Sequence, residues 1–421
     1  MTTTSGGNMS VIDSLGNIWI TPSGTDKGSL KPGEVVCVSP DGNYEGPLKP
    51  SMEYPLHRAV YNARPDIRAL IHAHPPVLTS FSIVHRIPDT SILRGWREIC
   101  GTVGYAGYAT PGSDAMAENV ASEFNRGHGV VIMENHAVVA GGKDLAEALA
   151  RLEALEKCAT TIHSASFIGE IRIPENGKKD YAEAPPGNQL TQSGHDLQGL
   201  ERDSLPNPDE ELLAEEICRM AVRACDRSLM YGFCGTISAR SGADGFLVTR
   251  QRVLRYDIGK TGIARAGGPG TGPSSRLQGE TCQGHTTWLH DEIYRRLPSV
   301  NAVITAQPPF LMAFAVTGRE IDVRTIPESW LLLKEVPLLS SDTLLPGNGE
   351  IFEKLSSSSP VVLICNDSVI ITGDNLLQAF DRLEVAEMTA MSLVLAQQLG
   401  TVAPMSGNDI ETLRRTFLSK D

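Results

Sequence analysis

The sequence predicts an α/β protein built as two tandem copies of one unit, and three observations carry that prediction. The stretch from Leu56 to Pro76 aligns without gaps on Leu289 to Pro309, with nine of 21 positions identical, more than chance supplies. A later stretch repeats with it: Asn135-His136-Ala137-Val138-Val139-Ala140-Gly141 and then Leu145 to Leu155 align on Asn366-Asp367-Ser368-Val369-Ile370-Ile371-Thr372 and then Leu376 to Ala386. Between the copies the periodicity is lost and Pro, Gly, Asn and Gln take over, as in Pro185-Pro186-Gly187-Asn188, which is the composition of a linker. The expected organisation is a first domain at 1–170, a linker at 171–207 and a second domain at 208–421.

At 421 residues the chain can build two cores. A net charge of -13, with no Lys/Arg-rich run, argues against a nucleic-acid surface. The eight cysteines are scattered without a C-x-x-C pair, so buried thiols in a reducing, cytoplasmic compartment are expected. No apolar stretch approaches the ~20 residues of a membrane span. Residues Met1 to Asn8 lack the charged-then-apolar pattern of a signal peptide.

The second copy opens with a helix. Pro208-Asp209-Glu210 gives a negatively charged first turn, and Leu213, Ile217, Met220, Ala221 and Ala224 form one stripe. The first copy begins at Thr4-Ser5-Gly6-Gly7-Asn8, where the second has already reached Cys234-Gly235-Thr236. An opening helix is therefore expected to be missing from the first domain, either because the start codon is placed too late or because another segment covers that face. Next, Leu70-Ile71 reads as a strand running into His72-Ala73-His74-Pro75-Pro76. Val130 to Met133 is a β-branched strand before Asn135-His136, and Leu145, Leu149, Leu152 and Leu155 then fall at helical spacing.

On a strand, side chains at i and i+2 share a face, so His72 and His74 can address one ion. Catalytic zinc-type sites supply three protein ligands and leave a position open, and His136, just past an apolar strand, is the third candidate. A lone histidine is more often a hydrogen-bonded core or surface residue. Here the second copy holds Thr305, Gln307 and Asp367 at these positions, so the three histidines come and go as a set. Glu53, in Lys49-Pro50-Ser51-Met52-Glu53, precedes a helix. A carboxylate there can be a general base, a ligand before substrate arrives, or a simple partner of the helix dipole. Its counterpart Thr286 is lost along with the histidines, which favours function.

Two loops, Gly6-Gly7-Asn8-Met9-Ser10 and Thr21-Pro22-Ser23-Gly24-Thr25-Asp26-Lys27-Gly28, combine glycines, hydroxyls and an amide, the materials of an anion-binding nest. The second copy has Gly235-Thr236-Ile237-Ser238 and Thr249-Arg250-Gln251-Arg252 there. Gly259-Lys260-Thr261 lacks the earlier glycine of a P-loop and is discarded.

The ordered series Gly-Gly-Asn-Met-Ser, Thr-Pro-Ser-Gly-Thr-Asp-Lys-Gly, Lys-Pro-Ser-Met-Glu, His-Ala-His-Pro, Tyr-Ala-Thr-Pro-Gly-Ser and Asn-His-Ala-Val-Val-Ala resembles the class II aldolase/adducin family. The resemblance covers nearly all of residues 5–165, and from about 208 to 400 it survives as fold pattern without the site. It implies two tandem three-layer α/β/α domains, each around a mainly antiparallel central sheet. It implies a divalent metal, most often Zn2+, on His72, His74 and His136, with Glu53 as the catalytic glutamate. It places a substrate phosphate on the loops holding Gly7, Asn8, Ser23, Gly24 and Ser51. The sequence departs at Met52, where the sugar-phosphate aldolases usually carry a second serine, so one phosphate contact would be lost.

The family also delivers a tyrosine from a neighbouring subunit as proton donor, and Tyr108 matches it, with Thr343 as its counterpart in the second copy. Four-fold rings are common in the family, so a homodimer of two-domain chains forming a pseudo-tetramer is expected. The implied function is a metal-dependent class II aldolase that cleaves a ketose or ketose 1-phosphate by a metal-stabilised enediolate mechanism. The partner would be a small-molecule sugar or sugar phosphate, with no nucleic acid and no membrane. The rival readings are an epimerase, dehydratase or decarboxylase of the same superfamily acting on a sugar or sugar acid, and an adducin-like non-catalytic binding module.

Overall fold

Strands β1 (Asn8–Ile12), β2 (Ile18–Ile20), β3 (Val36–Val38), β4 (Ala69–Ala73), β5 (Val103–Ala106), β6 (Val130–Met133) and β7 (Val138–Gly142) form one sheet in the order β3-β2-β1-β4-β7-β6-β5. Every neighbouring pair is antiparallel except β5 and β6 at one edge. The chain is described by a computed structural model covering residues 3–4, 6–173, 208–242, 245–267, 284–345 and 347–418. The described residues divide into two compact units, the first made of those up to Ser91 with Trp96–Ala159, the second of Ile92–Gly95 with those from Thr160 onward. Most of the expected linker, 174–207, lies outside the described residues.

The first unit holds α1 (Tyr54–Ala63), α2 (Pro76–Ile83), α3 (Trp96–Cys100), α4 (Asp114–Asn125) and most of α5 (Leu145–Ala165). All five residues of β4 are buried, as a central strand paired on both edges and covered on both faces requires. The strand stops because Pro75 cannot continue the ladder and instead sits at the N-cap of α2, whose first turn carries Pro76. Leu56 and Val60 of α1 pack with Val120 and Phe124 of α4, Leu70 of β4 and Val131 of β6 in one core. Each such side chain contributes about 1.5–3 kcal/mol on burial. Ser113 fixes the start of α4 by accepting the Met116 N–H at 3.2 Å.

In the second unit α6 (Pro208–Asp226) buries Ile217, Ala221 and Ala224 of the predicted stripe together with Ala214, while Leu213 and Met220 are half-buried. Its sheet contains β8 (Thr236–Ser241), β9 (Gly245–Thr249), β10 (Ile263–Ala266), β11 (Ala302–Ala306), β12 (Leu338–Leu339), β13 (Val361–Ile364) and β14 (Val369–Gly373), ordered β10-β9-β8-β11-β14-β13-β12. Helices α7 (Gly284–Arg296), α8 (Pro309–Thr317), α9 (Pro327–Leu333), α10 (Glu350–Lys354), α11 (Leu376–Leu399) and α12 (Gly407–Leu413) complete it. The topology is that of the first sheet, with the same single parallel pair at the edge. Register agrees as well. Asn8 faces His72 across β1 and β4, and Thr236 faces Thr305 across β8 and β11. Counting from the parallel edge pair puts Ser341 at the position of Tyr108, two residues before Thr343, and neither is aromatic. No described helix is long and apolar enough to cross a membrane.

A candidate metal centre

Glu53, His57 and Tyr61 recur every four residues from the N-cap of α1, so they share the helix face that meets β1, where Asn8 and Ser10 alternate onto one side. His72 lies on β4, His74 just past its end, and His136 in the turn between β6 and β7. That turn is closed by the Met133 N–H donating to the Ala137 carbonyl at 2.8 Å, and Asn135 takes the left-handed φ of +51° that asparagine tolerates. The result gathers the three predicted histidines, one ligand nitrogen from each lying within 4.8 Å of the others.

Glu53 points into this cluster. Its Oε2 is 3.1 Å from His72 Nε2 and its Oε1 3.6 Å from His136 Nε2, while Asn8 Nδ2 donates to Oε2 at 2.6 Å. His72 donates from Nδ1 to the Val138 carbonyl at 3.1 Å, which leaves the lone pair on Nε2. That buried Nε2 has no hydrogen bond of acceptable geometry, despite its short distance from the carboxylate. Two lone-pair-bearing atoms facing each other at 3.1 Å call for a cation between or beside them. The cradle therefore fits a divalent metal bound by three imidazoles with a carboxylate adjacent.

The electrostatics agree. Burial, followed by the neighbouring imidazoles, pushes His74 down to about 4 and lowers His136, so both rings are neutral and available to a metal at physiological pH. Burial alone would raise the Glu53 carboxyl. Positive charge on the adjacent His72 ring, the Asn8 amide and positive charge at His136 outweigh it and hold the group at about 2, so it stays ionised, and a cation on those rings would supply the same charge where the imidazoles are neutral.

The predicted anion loops converge from three segments. Thr21 N–H donates to the Met9 carbonyl and Ser23 N–H to the Lys49 carbonyl, both at 3.0 Å, and Pro22 bridges to Pro50. Gly7 and Gly24 take φ of +67° and +69°, a region glycine enters without strain. Ser51 Oγ accepts the Glu53 N–H at 3.3 Å. Lys27 Nζ ties its own loop by donating to the Pro22 and Thr25 carbonyls at 3.2 and 3.3 Å. Gly7, Ser23, Gly24 and Ser51 are thus drawn into one region. Asn8 differs, because its side-chain amide is buried and already engaged by Glu53 and His57.

Tyr108 stands apart from the cluster at the surface, 61% exposed, with its N–H donating to Glu134 Oε2 at 3.0 Å. Its loop lies over the anion region: a Cβ on Gly112 would come within 3.1 Å of the Met52 carbonyl. Met52 itself is 69% exposed. Ser10, His57 and Tyr61, by contrast, are buried behind Glu53 and escape a reading that looks for differences between the copies, since Ser238, His290 and Tyr294 occupy the same positions in the second.

The sequence matches the profile of the class II aldolase and adducin N-terminal domain twice, over residues 1–163 and 215–394. An L-fuculose phosphate aldolase of Methanocaldococcus jannaschii is 36% identical over 37% of this chain and 82% of its own length. A 5-deoxy-D-ribulose 1-phosphate aldolase of Bacillus thuringiensis is 33% identical over 43% of this chain and 86% of its own. A 3-oxo-tetronate 4-phosphate decarboxylase of Escherichia coli is 30% identical over 38% and 77%. With both halves matched and both sheets of one topology, this chain belongs to the class II aldolase and adducin family as a tandem member carrying two copies of the domain.

Proposed function

We propose that this chain is a metal-dependent aldehyde-lyase that cleaves a ketose or ketose 1-phosphate, with its active site in the first unit. The observation that carries this reading is the cradle of His72, His74 and His136 around the ionised Glu53. A divalent cation held there, zinc given the all-imidazole donors, would supply Lewis-acid polarisation of the ketose carbonyl and offset the charge that develops on it.

The chain's own residues do the rest. Glu53 accepts the proton from the hydroxyl on C4, and the C3–C4 bond breaks as that oxygen becomes the carbonyl of the departing aldehyde. The electron pair stays on C3 and is later quenched by a proton. Tyr108, exposed on a surface loop, is the candidate donor for whichever site it reaches, and the assembly proposed is a homodimer of two-domain chains. Gly7, Ser23, Gly24 and Ser51 would take a terminal phosphate through backbone N–H groups and hydroxyls. The second unit, lacking the histidines, acts as a pseudo-domain. A cytoplasmic setting goes with eight cysteines and no pairing motif.

The relationship to a 3-oxo-tetronate phosphate decarboxylase favours one second reading. Decarboxylation leaves the same kind of electron pair beside a carbonyl, but releases carbon dioxide instead of an aldehyde. One experiment separates the readings: metal analysis of the purified protein, followed by incubation with ketoses, ketose 1-phosphates and 3-oxo sugar acid phosphates. One metal per chain with aldehyde release supports the aldolase. Carbon dioxide release supports the decarboxylase, and a protein that takes up no metal would overturn both.

A further inference from the structure

We infer that His57 is a positioning residue for Glu53, acting through the side-chain amide of Asn8, with Ser10 and Tyr61 fixing the ring from behind. The inference rests on reading Glu53 as the group that moves the proton. Its geometry is continuous from the core to the site. Tyr61 Oη is 2.7 Å from Ser10 Oγ, Ser10 Oγ is 2.6 Å from His57 Nδ1, His57 Nε2 is 2.5 Å from Asn8 Oδ1, and Asn8 Nδ2 is 2.6 Å from Glu53 Oε2.

The direction of each bond follows from one end. A carboxylate can only accept, so the Asn8 NH2 group must face Glu53 and its oxygen must face His57. His57 therefore carries its proton on Nε2, and its Nδ1 accepts from the Ser10 hydroxyl. Tyr61 donates toward Ser10, whose carbonyl also lies 3.0 Å from the phenol oxygen. Asn8 is a residue with two equally shaped ends, and without the histidine nothing would stop it from presenting its oxygen to the carboxylate. Burial keeps the imidazole neutral, at about 3, so it holds one donor and one acceptor across the working pH range.

The second unit supplies an independent observation. Ser238 Oγ lies 2.7 Å from His290 Nδ1 and 2.8 Å from Tyr294 Oη, so the serine, histidine and tyrosine are kept. There the far ring nitrogen ends on Thr305 Oγ1 at 2.9 Å, the position of the metal-ligand candidate His72, and Thr236 replaces Asn8. The triad is thus part of the frame in both units, and Asn8 is what couples it to a carboxylate in one.

The test compares His57→Asn, His57→Gln and His290→Asn in the full-length, metal-loaded protein. Glutamine can place an N–H near the position of Nε2, whereas asparagine falls short of Asn8. His57→Asn should lower kcat by roughly tenfold to a hundredfold, the usual cost of losing a residue that orients a site group. KM and metal stoichiometry should stay unchanged, His57→Gln should recover most of the rate, and His290→Asn should keep the wild-type rate. Equal rates for His57→Asn and His290→Asn, or a His57→Gln variant as slow as His57→Asn, would overturn the proposal. A second measurement does not depend on turnover or on the variants folding. Two-bond proton–nitrogen spectra of the metal-free wild-type protein should show His57 protonated at Nε2 with slow exchange, and an Nδ1-protonated ring sinks the relay whatever reaction the enzyme catalyses.

Discussion

The two units share a sheet order, a strand register and a buried serine-histidine-tyrosine triad, yet just one of them offers a metal cradle among the described residues. They also share smaller devices. Glu156 accepts the N–H groups of Val77 and Leu78 at the start of α2, and Glu387 does the same for Phe310 and Leu311 at the start of α8. Lys27 clasps its loop through two carbonyls, and Arg255 clasps the corresponding loop through the carbonyls of Gly235, Arg250 and Val253. In the second unit, Thr305 bonds His290, and Gln307 donates to the Asp367 carbonyl at 2.7 Å and accepts from Tyr231 at 3.2 Å. Polar groups that would face a metal are there closed on one another. The frame that folds the domain is therefore separable from the side chains that arm it.

The largest effect should come from making the first unit copy the second at one position. His72→Thr should abolish metal binding, taking the content from one ion per chain to none by atomic absorption, while thermal unfolding of the metal-free protein shifts little. Thr305 already shows that the fold accepts threonine there, bonded to the triad histidine. Retention of a full equivalent of metal would break the assignment of the cradle. Glu53→Gln comes next. It should keep the metal but lower turnover by about 10²–10⁴-fold, the range for losing a general base, and undiminished turnover would remove Glu53 from the mechanism.

These two positions were legible in the sequence because the chain contains its own control. Aligning the copies singles out His72, His74, His136 and Glu53 by their replacement, and hydrophobic periodicity is enough to place them on a strand, past its end, in a turn and before a helix. The same subtraction hides His57, which aligns on His290 and therefore cancels. It also hides the engagement of Asn8. Chemistry places that residue in an anion loop, and only the meeting of a four-residue helix period with a two-residue strand period reveals its amide between Glu53 and His57. The edge position of Tyr108 follows from the family pattern, while its exposure depends on a loop that no periodicity describes.

A third comparison uses acid. Burial depresses both His57 and His290 to about 3, against 6.5 for a free imidazole. Between those values the unfolded chain binds more protons than the native one. The stabilisation is therefore complete above pH 6.5 and is lost as pH falls toward 3, amounting to on the order of a few kcal/mol per ring. In metal-free protein both units should lose thermal stability from pH 6.5 to 4.5, and His290→Gln should flatten the profile of the second unit alone. A melting temperature constant across that interval would show that neither ring is buried as described. Glu53 adds a smaller loss at lower pH and in the first unit only, because its carboxyl is held at about 2 and must be protonated between about 4.5 and 2.

The smallest expected effect concerns what the site binds. Met52 is exposed beside Ser51, within the loop whose neighbours are tied to the Ser23 and Gly24 segment. A hydroxyl there would add one hydrogen bond to a phosphate already served by backbone N–H groups. A bond to a charged partner contributes ~1.5–3 kcal/mol when sheltered and less in an open loop. Met52→Ser should therefore lower KM for a phosphorylated ketose by about three- to tenfold, leave kcat near its starting value, and leave KM for an unphosphorylated ketose unchanged. If both sugars respond alike, the loop does not read phosphate and the natural substrate carries none. If only the phosphorylated sugar responds, the loop reads phosphate, and Met52 leaves it one hydroxyl contact short.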